Sequence, residues 1–433
     1  MTDSVPTLLD AIFDIQSGTI PAGEVLARAS ARAAALEPWL KAFAHLPESH
    51  PSASKEQGLL AGIPVGVKDI IATHDMPTTN GSPIYAGHRP AEDAGIVRQL
   101  RELGGIVFGK TVTTEFAWRH PGPTVNPWNK LYSPGGSSSG SAAAVAAGIV
   151  PLALGSQTLG SIIRPATYNG VVGFKASFGA VLRDGVHPFA GSLDHIGFFA
   201  RKVEDVAAAW AIFAERLVAP LASRAAWDSY FQKARAPRLA VIRTGNWDLA
   251  DVEQQRNFEA ALVALQKAGG ELVDMELPVD TKEIIDATMQ MARYEGAANY
   301  SGLVEQYPAL CSLALKELVI DGRAVSEGAY RATLALQERL RRDLAAWIAP
   351  CDAIVTIPAT GEAPFGLDYT GDAVFCMPWT FMGVPAATIP SGWSANGLPL
   401  GLQIVAPFGR DKMALQIAAW AEEALNAPKR RIE

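Results

Sequence analysis

The chain has 433 residues, 49% of them hydrophobic and only 19% charged, which is enough for a large buried core. Its net charge of −7, without any Lys/Arg-rich run, argues against nucleic acid or an anionic membrane as a partner. The three cysteines have no Cys-x-x-Cys spacing, which argues against a disulfide framework or a metal site. There is neither a signal-peptide pattern nor an apolar run of the ~18 residues that a membrane-spanning helix needs. We therefore expect a cytoplasmic protein.

The N-terminal part of the chain is predicted to be mainly helical. Periodic apolar residues predict helices at 7–16 and 21–36, the second with a proline in its first turn. Residues 42–46 are a candidate strand, and the polar segment 49–57 is a candidate loop.

Lys68 stands inside the apolar segment 59–70, which predicts a strand. A lone lysine usually lies at a strand end with its ammonium group in solvent. The apolar residues on both sides of Lys68 weaken that interpretation.

The next segments alternate between helix and strand. A loop at 76–85, a helix at 93–103 and a strand at 106–110 are predicted, an alternation typical of α/β proteins. Residues 113–129 are expected to form an ordered loop along a pocket wall. Four aromatic residues would suit a broad apolar pocket: Trp118, Trp128, Phe375 and Trp379.

The most informative stretch is 133–173. Two Gly/Ser-rich turns flank a small-residue helix at 141–148 and a short apolar strand at 150–154, which a flexible linker would not contain. Helix N-termini after Gly-rich loops offer free backbone N–H groups, and these bind negative charge. Because the loops also carry hydroxyl groups, the anion we expect here is one that forms during a reaction.

The rest of the chain continues the alternation. Strands are predicted at 171–178, 238–243, 271–277 and 353–357 and within 381–405, helices at 203–215, 252–268 and 411–425, and a largely helical region at 282–348. The helical region either caps the pocket or has a purely structural role. Since no linker-like segment interrupts the pattern, we expect one domain over residues 1–433.

Several segments together resemble the amidase signature family, serine hydrolases that cleave carboxamide C–N bonds. Residues 62–69 read Gly-Ile-Pro-Val-Gly-Val-Lys-Asp, which matches the motif of the family's catalytic lysine, and 133–173 resembles its Gly/Ser-rich core. The resemblance extends from about residue 62 to the C-terminus, with 62–210 as the signature core. It implies an α/β/α sandwich around a large mixed β-sheet, and an enzyme without a metal or another cofactor.

The resemblance also assigns a Ser–Ser–Lys triad. Ser161 matches the nucleophile, Ser137 the bridging serine that follows a cis peptide bond in this family, and Lys68 the base, while Ser156 is expected to support the relay. A lysine with a pKa of roughly 10.4 cannot accept a proton at neutral pH, but burial lowers that pKa. Neutral Lys68 would then take a proton from Ser137, which takes one from Ser161, and the relay would later protonate the leaving nitrogen.

The oxyanion hole is expected at the backbone N–H groups of Thr158, Leu159, Gly160 and Ser161. The family usually has glycine where this chain has Leu159. The leucine could narrow the acyl pocket, strain the loop, be an introduced substitution, or fit without penalty at a negative φ.

Two other departures concern the residues around Ser161. The family's usual acidic residue is Gln157 here, and Ile163 fills the usual arginine position, with Arg164 one place later. This pattern resembles the malonamidase branch, in which the arginine holds a substrate carboxylate, and Arg164 and Gly136 are assigned to substrate binding on that basis. A structural ion pair is the equally weighted alternative for Arg164.

Four functions remain under consideration. The first is an amidase acting on small carboxamides through an acyl-enzyme, and the second is an ester or carbamate hydrolase with the same triad. The third is an amidotransferase component that feeds ammonia to a partner in tRNA-dependent amidation. The fourth, a catalytically inactive binding protein, is disfavoured because Lys68, Ser137 and Ser161 are all present. A small amide, ester or carbamate is the expected ligand, and a homodimer is left open.

Overall fold

The structure is a computed structural model that describes residues 5–49 and 58–428, together with residues 430 and 432. All but the first residue of the loop predicted at 49–57 lies outside the described residues.

The described strands form one mixed sheet. They are β1 Phe43–His45, β2 Pro64–Lys68, β3 Ile106–Thr111, β4 Leu152–Gln157, β5 Val172–Lys175, β6 His195–Ala200, β7 Arg238–Ile242, β8 Glu271–Met275, β9 Ala353–Thr356, β10 Ala386–Trp393 and β11 Pro399–Val405. The 11-stranded sheet has the order β1-β3-β2-β4-β6-β5-β10-β11-β9-β7-β8. Strand β2 pairs in parallel with β3 and β4, and β7 pairs in parallel with β8 and β9. The other pairs are antiparallel.

Helices surround this sheet. In the described part of the chain they are α1 Leu8–Gln16, α2 Ala22–Leu40, α3 Gly95–Glu102, α4 Ser139–Ala146, α5 Ile163–Asn169, α6 Val203–Phe213, α7 Arg224–Tyr230, α8 Val252–Lys267, α9 Thr281–Gln306, α10 Leu313–Arg323, α11 Glu327–Ile348, α12 Met377–Phe381 and α13 Asp411–Leu425. None of them combines the length and apolarity needed to cross a membrane.

In strands β7 and β9, alternate residues belong to two different hydrophobic clusters. In β7, Leu239 and Val241 pack into one cluster, whereas Ala240 and Ile242 pack into the other. Successive side chains of a strand point to opposite faces of a sheet, so the two clusters lie on its two sides. Helix α8 covers the first side and helices α9–α11 cover the second. The predicted fold, an α/β/α sandwich around a large mixed sheet, is confirmed.

Some elements differ from the sequence-based predictions. Strand β6 was not predicted, because every residue in it is buried and no polar/apolar alternation marks it. Helix α5 was also missed: it has seven residues, includes Pro165 in its first turn and ends at Gly170 with a φ of 66°. Helix α2 continues past its predicted end through Pro38, since Leu40 is buried in the core.

Candidate active site

The sheet brings Lys68 and Ser156 to the same edge. Lys68 is the last residue of β2, and Ser156 lies next to the end of β4, which pairs in parallel with β2. The carboxyl ends of adjacent parallel strands meet at one edge, where α/β proteins commonly place their sites. Ser137 lies just before α4, and Ser161 lies between β4 and α5.

Lys68 is fully buried and bonded to two hydroxyl groups. Its Nζ donates to Ser137 Oγ at 2.7 Å and to Ser156 Oγ at 2.8 Å, and the Ser156 carbonyl oxygen lies at 3.5 Å. Burial lowers the pKa of Lys68 well below its usual value, and the charge of Asp194 opposes this effect. The environment therefore favours the neutral amine, which is the form that can accept a proton.

The turn before Ser137 has the expected geometry. The Gly136–Ser137 peptide bond is cis. Gly135 has a φ of +77°, and a Cβ there would lie 2.9 Å from Cδ2 of Tyr168 and 3.0 Å from Cα of Pro165. Both the left-handed backbone and the lack of space require glycine at this position.

Residues 158–161 connect β4 to α5. The backbone N–H groups of residues 159–161 donate to no acceptor in the described part of the chain. The next two N–H groups, those of Ile162 and Ile163, both donate to Oε1 of Gln157, at 2.8 and 3.0 Å. Three N–H groups in a row thus remain available to a negatively charged oxygen, as an oxyanion hole requires.

Three contacts hold this connection in place. We call it the oxyanion loop (residues 158–161), after the role expected for it from the sequence. Thr158 Oγ1 donates to Asp194 Oδ1 at 2.6 Å, and Thr380 Oγ1 donates to the carbonyl oxygen of Leu159 at 2.9 Å. A Cβ on Gly160 would lie 2.9 Å from Cβ of Ala373, so the loop packs closely against that residue. Leu159 does not adopt a positive φ, and its backbone is therefore compatible with a side chain.

Ser137, Ser161 and the oxyanion loop border one cavity of about 140 Å³. Trp118 from the 113–129 loop lines it, and so does Leu159. Trp128, Phe375 and Trp379 do not, so the expectation of a broad aromatic pocket is wrong for these three residues. The Ser161 hydroxyl makes no hydrogen bond to any of the described residues. Of the three residues expected to form the triad, Lys68 and Ser137 are thus joined by a hydrogen bond, and Ser137 and Ser161 line the same cavity.

The helical region 282–348 contributes no lining residue to this cavity. It supports the wall from outside, since Trp118 Nε1 donates to the carbonyl oxygen of Ala314 at 3.1 Å. The backbone N–H of Ser312 also donates to Glu115 Oε2, at 3.2 Å.

Arg164 lines the cavity and is only 7% exposed. Its Nη2 donates to the carbonyl oxygen of Gly136 at 2.8 Å and to Thr370 Oγ1 at 3.3 Å. Its buried Nε has no hydrogen-bond partner among the described residues. No described carboxylate forms an ion pair with Arg164, so the structural ion pair considered from the sequence has no partner here. The Gly136 carbonyl is occupied by Arg164.

Sequence reasoning missed Asp194. This half-buried carboxylate accepts hydrogen bonds at Oδ2 from the backbone N–H groups of Phe189 and Ala190, at 2.8 and 3.0 Å, besides the one at Oδ1 from Thr158. Burial raises its pKa to about 6. No motif marks it, because only the pairing of β6 with β4 brings it beside the oxyanion loop.

One group of side chains has the composition of a metal site, but it lies apart from this cavity. His74, Asp75 and Asp93 come together. Arg101 already pairs with both carboxylates, with its Nη2 2.7 Å from Asp75 and its Nε 3.0 Å from Asp93. A cation would have to compete with this guanidinium group, so the cluster does not fit a metal ion.

Comparison with known proteins decides the family. The family model named Amidase matches residues 26–415. The chain belongs to the amidase signature family. It is 33% identical over 411 residues to the A-type component of the glutamyl-tRNA(Gln) amidotransferase of Koribacter versatilis, with 85% of each chain covered.

Two solved structures are similar to this amidase over almost its entire length. The native peptide amidase of Stenotrophomonas maltophilia superposes with a TM-score of 0.84 at 30% identity, covering 99% of this chain and 98% of its own. A 6-aminohexanoate cyclic dimer hydrolase complexed with substrate gives 0.84 at 25% identity, covering 99% of this chain and 98% of its own. The predicted family and the assignment as an amidohydrolase are confirmed, whereas the malonamidase-like branch stays a prediction.

Proposed function

We propose that this amidase hydrolyses small carboxamides through an acyl-enzyme formed on Ser161. The observation that supports this most directly is the 2.7 Å hydrogen bond between Lys68 Nζ and Ser137 Oγ, buried beside the cavity that Ser161 lines. A buried lysine without a carboxylate partner is costly unless it is neutral, and a neutral lysine is a base.

The proton would move in two steps. Neutral Lys68 takes the proton of Ser137, and Ser137 takes that of Ser161, whose oxygen attacks the carbonyl carbon. The C–N bond then breaks, and the same path in reverse delivers the proton to the leaving nitrogen, because an amine leaves poorly without it. Water attacks the resulting ester in the second half of the reaction and regenerates Ser161.

The negative oxygen formed at each attack would be bound by the backbone N–H groups of Thr158, Leu159, Gly160 and Ser161. Losing one such donor typically lowers kcat by ~10²–10³. The free N–H groups of residues 159–161 and the close packing of Gly160 support this assignment.

Arg164 and Gly136 belong to the substrate side of the proposal. The unpartnered Nε of Arg164 suits a carboxylate on the acyl part of the substrate, and Gly136 would act indirectly by holding Nη2 of Arg164. Leu159 lines the cavity, where its side chain would narrow the space next to Ser161 and favour a short acyl group.

This function can be tested with a panel of small amides and their matched esters and carbamates. The rate of hydrolysis of each substrate is measured from the release of its products. We expect the purified chain to cleave the C–N bond of carboxamides without an added metal. Turnover confined to esters or carbamates would favour the alternative hydrolase.

A second function is favoured by one observation, the 33% identity to the A-type component of a glutamyl-tRNA(Gln) amidotransferase. If this chain has the same role, it should copurify with partner proteins from its source cell and gain activity from them. An isolated chain with full amidase activity and no copurifying partner would exclude this function.

A further inference from the structure

Asp194 is a half-buried carboxylate that the proposed reaction does not use. Each of its carboxylate oxygens is bonded, Oδ1 to Thr158 Oγ1 and Oδ2 to two backbone N–H groups. Three donors on one carboxylate favour its ionised form, although burial works against it. The ionised carboxylate is thus hydrogen-bonded directly to the first residue of the oxyanion loop.

A second cavity, of about 220 Å³, borders the same loop. Asp194 and His187 line it, together with Ser156, the second hydroxyl partner of Lys68, and with Thr158. Thr158 therefore borders both cavities. Asp194 therefore lines the same cavity as Thr158 of the oxyanion loop and Ser156, whose hydroxyl group is bonded to Lys68.

Four charged or titratable groups around Asp194 come from strand β2, from the loop between β5 and β6, and from helix α9. Lys68 on β2 interacts with it through space. Arg183 donates from Nη1 to the Asp194 backbone carbonyl at 3.0 Å. Burial lowers the pKa of His187 to about 4 and raises that of Tyr300 on α9 well above its usual value, so both are neutral at pH 7. Of these four groups, Lys68 and Arg183 are the ones whose protonated forms carry a positive charge near Asp194.

We propose that Asp194 is a positioning residue with two separable effects: it holds the oxyanion loop through Thr158, and its negative charge stabilises the protonated form of Lys68. The inference rests on the function proposed above. The hydrogen bond from Thr158 restrains the first residue of the loop. The charge sets the pH at which the relay becomes able to accept a proton.

The sign of the second effect follows from electrostatics. A negative charge nearby makes the ammonium form of Lys68 more stable, so it raises the pKa of Lys68 against the effect of burial. The active form is the neutral amine. Removing the charge should therefore shift the rise of kcat/KM with pH to lower pH.

Asp194→Asn tests the charge with little change in shape. Its Oδ1 can accept from the N–H groups of Phe189 and Ala190, while Nδ2 donates to Thr158 Oγ1. The matched control is Asp205→Asn, because burial raises the pKa of Asp205 to about 6 as well and its carboxylate accepts the Leu9 N–H, but it lies away from the cavity. The acid limb of kcat/KM should shift to lower pH in Asp194→Asn and stay in place in Asp205→Asn. No shift in the first variant, or an equal shift in both, would overturn the charge effect.

Thr158→Val tests the positioning. It removes only the hydroxyl group that Asp194 holds, and Thr288→Val is the control, since Thr288 is fully buried and bonded to the Ile284 carbonyl on α9. We expect kcat to fall roughly tenfold or more in Thr158→Val with the acid limb unmoved, and to stay near wild type in Thr288→Val. Equal kcat values in both variants would overturn the positioning role.

Failure of this inference can be told from failure of the proposed function. Lys68→Ala should abolish the acid limb in residual ester hydrolysis. If the limb vanishes in Lys68→Ala but does not move in Asp194→Asn, the relay is right and the role of Asp194 is wrong. If the limb persists in Lys68→Ala, the relay itself is wrong.

Discussion

Gln157→Ala should destabilise the protein and slow the reaction together. Gln157 is 1% exposed, and its Oε1 is the acceptor for both the Ile162 and the Ile163 N–H groups, while its Nε2 donates to Thr380 Oγ1 at 2.8 Å. A buried donor left without an acceptor costs ~1–3 kcal/mol, so two such donors amount to about 2–6 kcal/mol. Because these donors begin α5 directly after Ser161, we also expect kcat to fall roughly ten- to a hundredfold.

The measurement is the urea-unfolding midpoint together with kcat for a good amide substrate. The control is Gln254→Ala, because Gln254 is equally buried but its Nε2 makes one hydrogen bond, to the Gly401 carbonyl at 2.9 Å, away from the cavity. Gln254→Ala should lose less stability and keep its kcat. A Gln157→Ala protein as stable and as active as Gln254→Ala would refute the view that Gln157 organises the start of α5.

Three further variants test single parts of the site. Lys68→Ala should lose amide hydrolysis more severely than ester hydrolysis. Because burial lowers the Lys68 pKa, wild-type kcat/KM should rise with pH at values below the usual pKa of a lysine. A pH-independent kcat/KM would contradict this role of Lys68. Arg164→Ala should raise KM about ten- to a hundredfold, or ~1.5–3 kcal/mol, for an amide with a free carboxylate but not for its neutral isostere, and equal losses on both would exclude a carboxylate clamp. Gly160→Ala should lower kcat about a hundredfold, because its Cβ would lie 2.9 Å from that of Ala373; unchanged kcat would contradict the assignment of the oxyanion loop.

The parts of the site that the sequence predicts are those that depend on local pattern. The run of apolar residues around Lys68 marked a buried strand, and the Gly/Ser-rich turns marked the connections that hold Ser137 and Ser161. The hydrogen bond from Lys68 to Ser137 joins residues 69 positions apart, and the family motif alone suggested it.

The parts that could not be predicted depend on pairings between distant segments. Strand β6 is buried on both faces and therefore has no alternation, so its place between β4 and β5 was not visible. Asp194 reaches the oxyanion loop only through that placement. Likewise, the partners of Arg164 lie 28 and 206 positions away, and neither could be inferred from its neighbours in the sequence.

The most direct test of the central claim is to find the residue that carries the acyl group. The enzyme is mixed with an activated ester, quenched within one turnover, digested and analysed by peptide mass spectrometry. We expect the acyl adduct on Ser161 in the wild type and in Ser139→Ala, whose hydroxyl bonds the Val112 carbonyl outside the relay, and no adduct in Ser161→Ala. An adduct on another residue, or turnover retained by Ser161→Ala, would contradict the account.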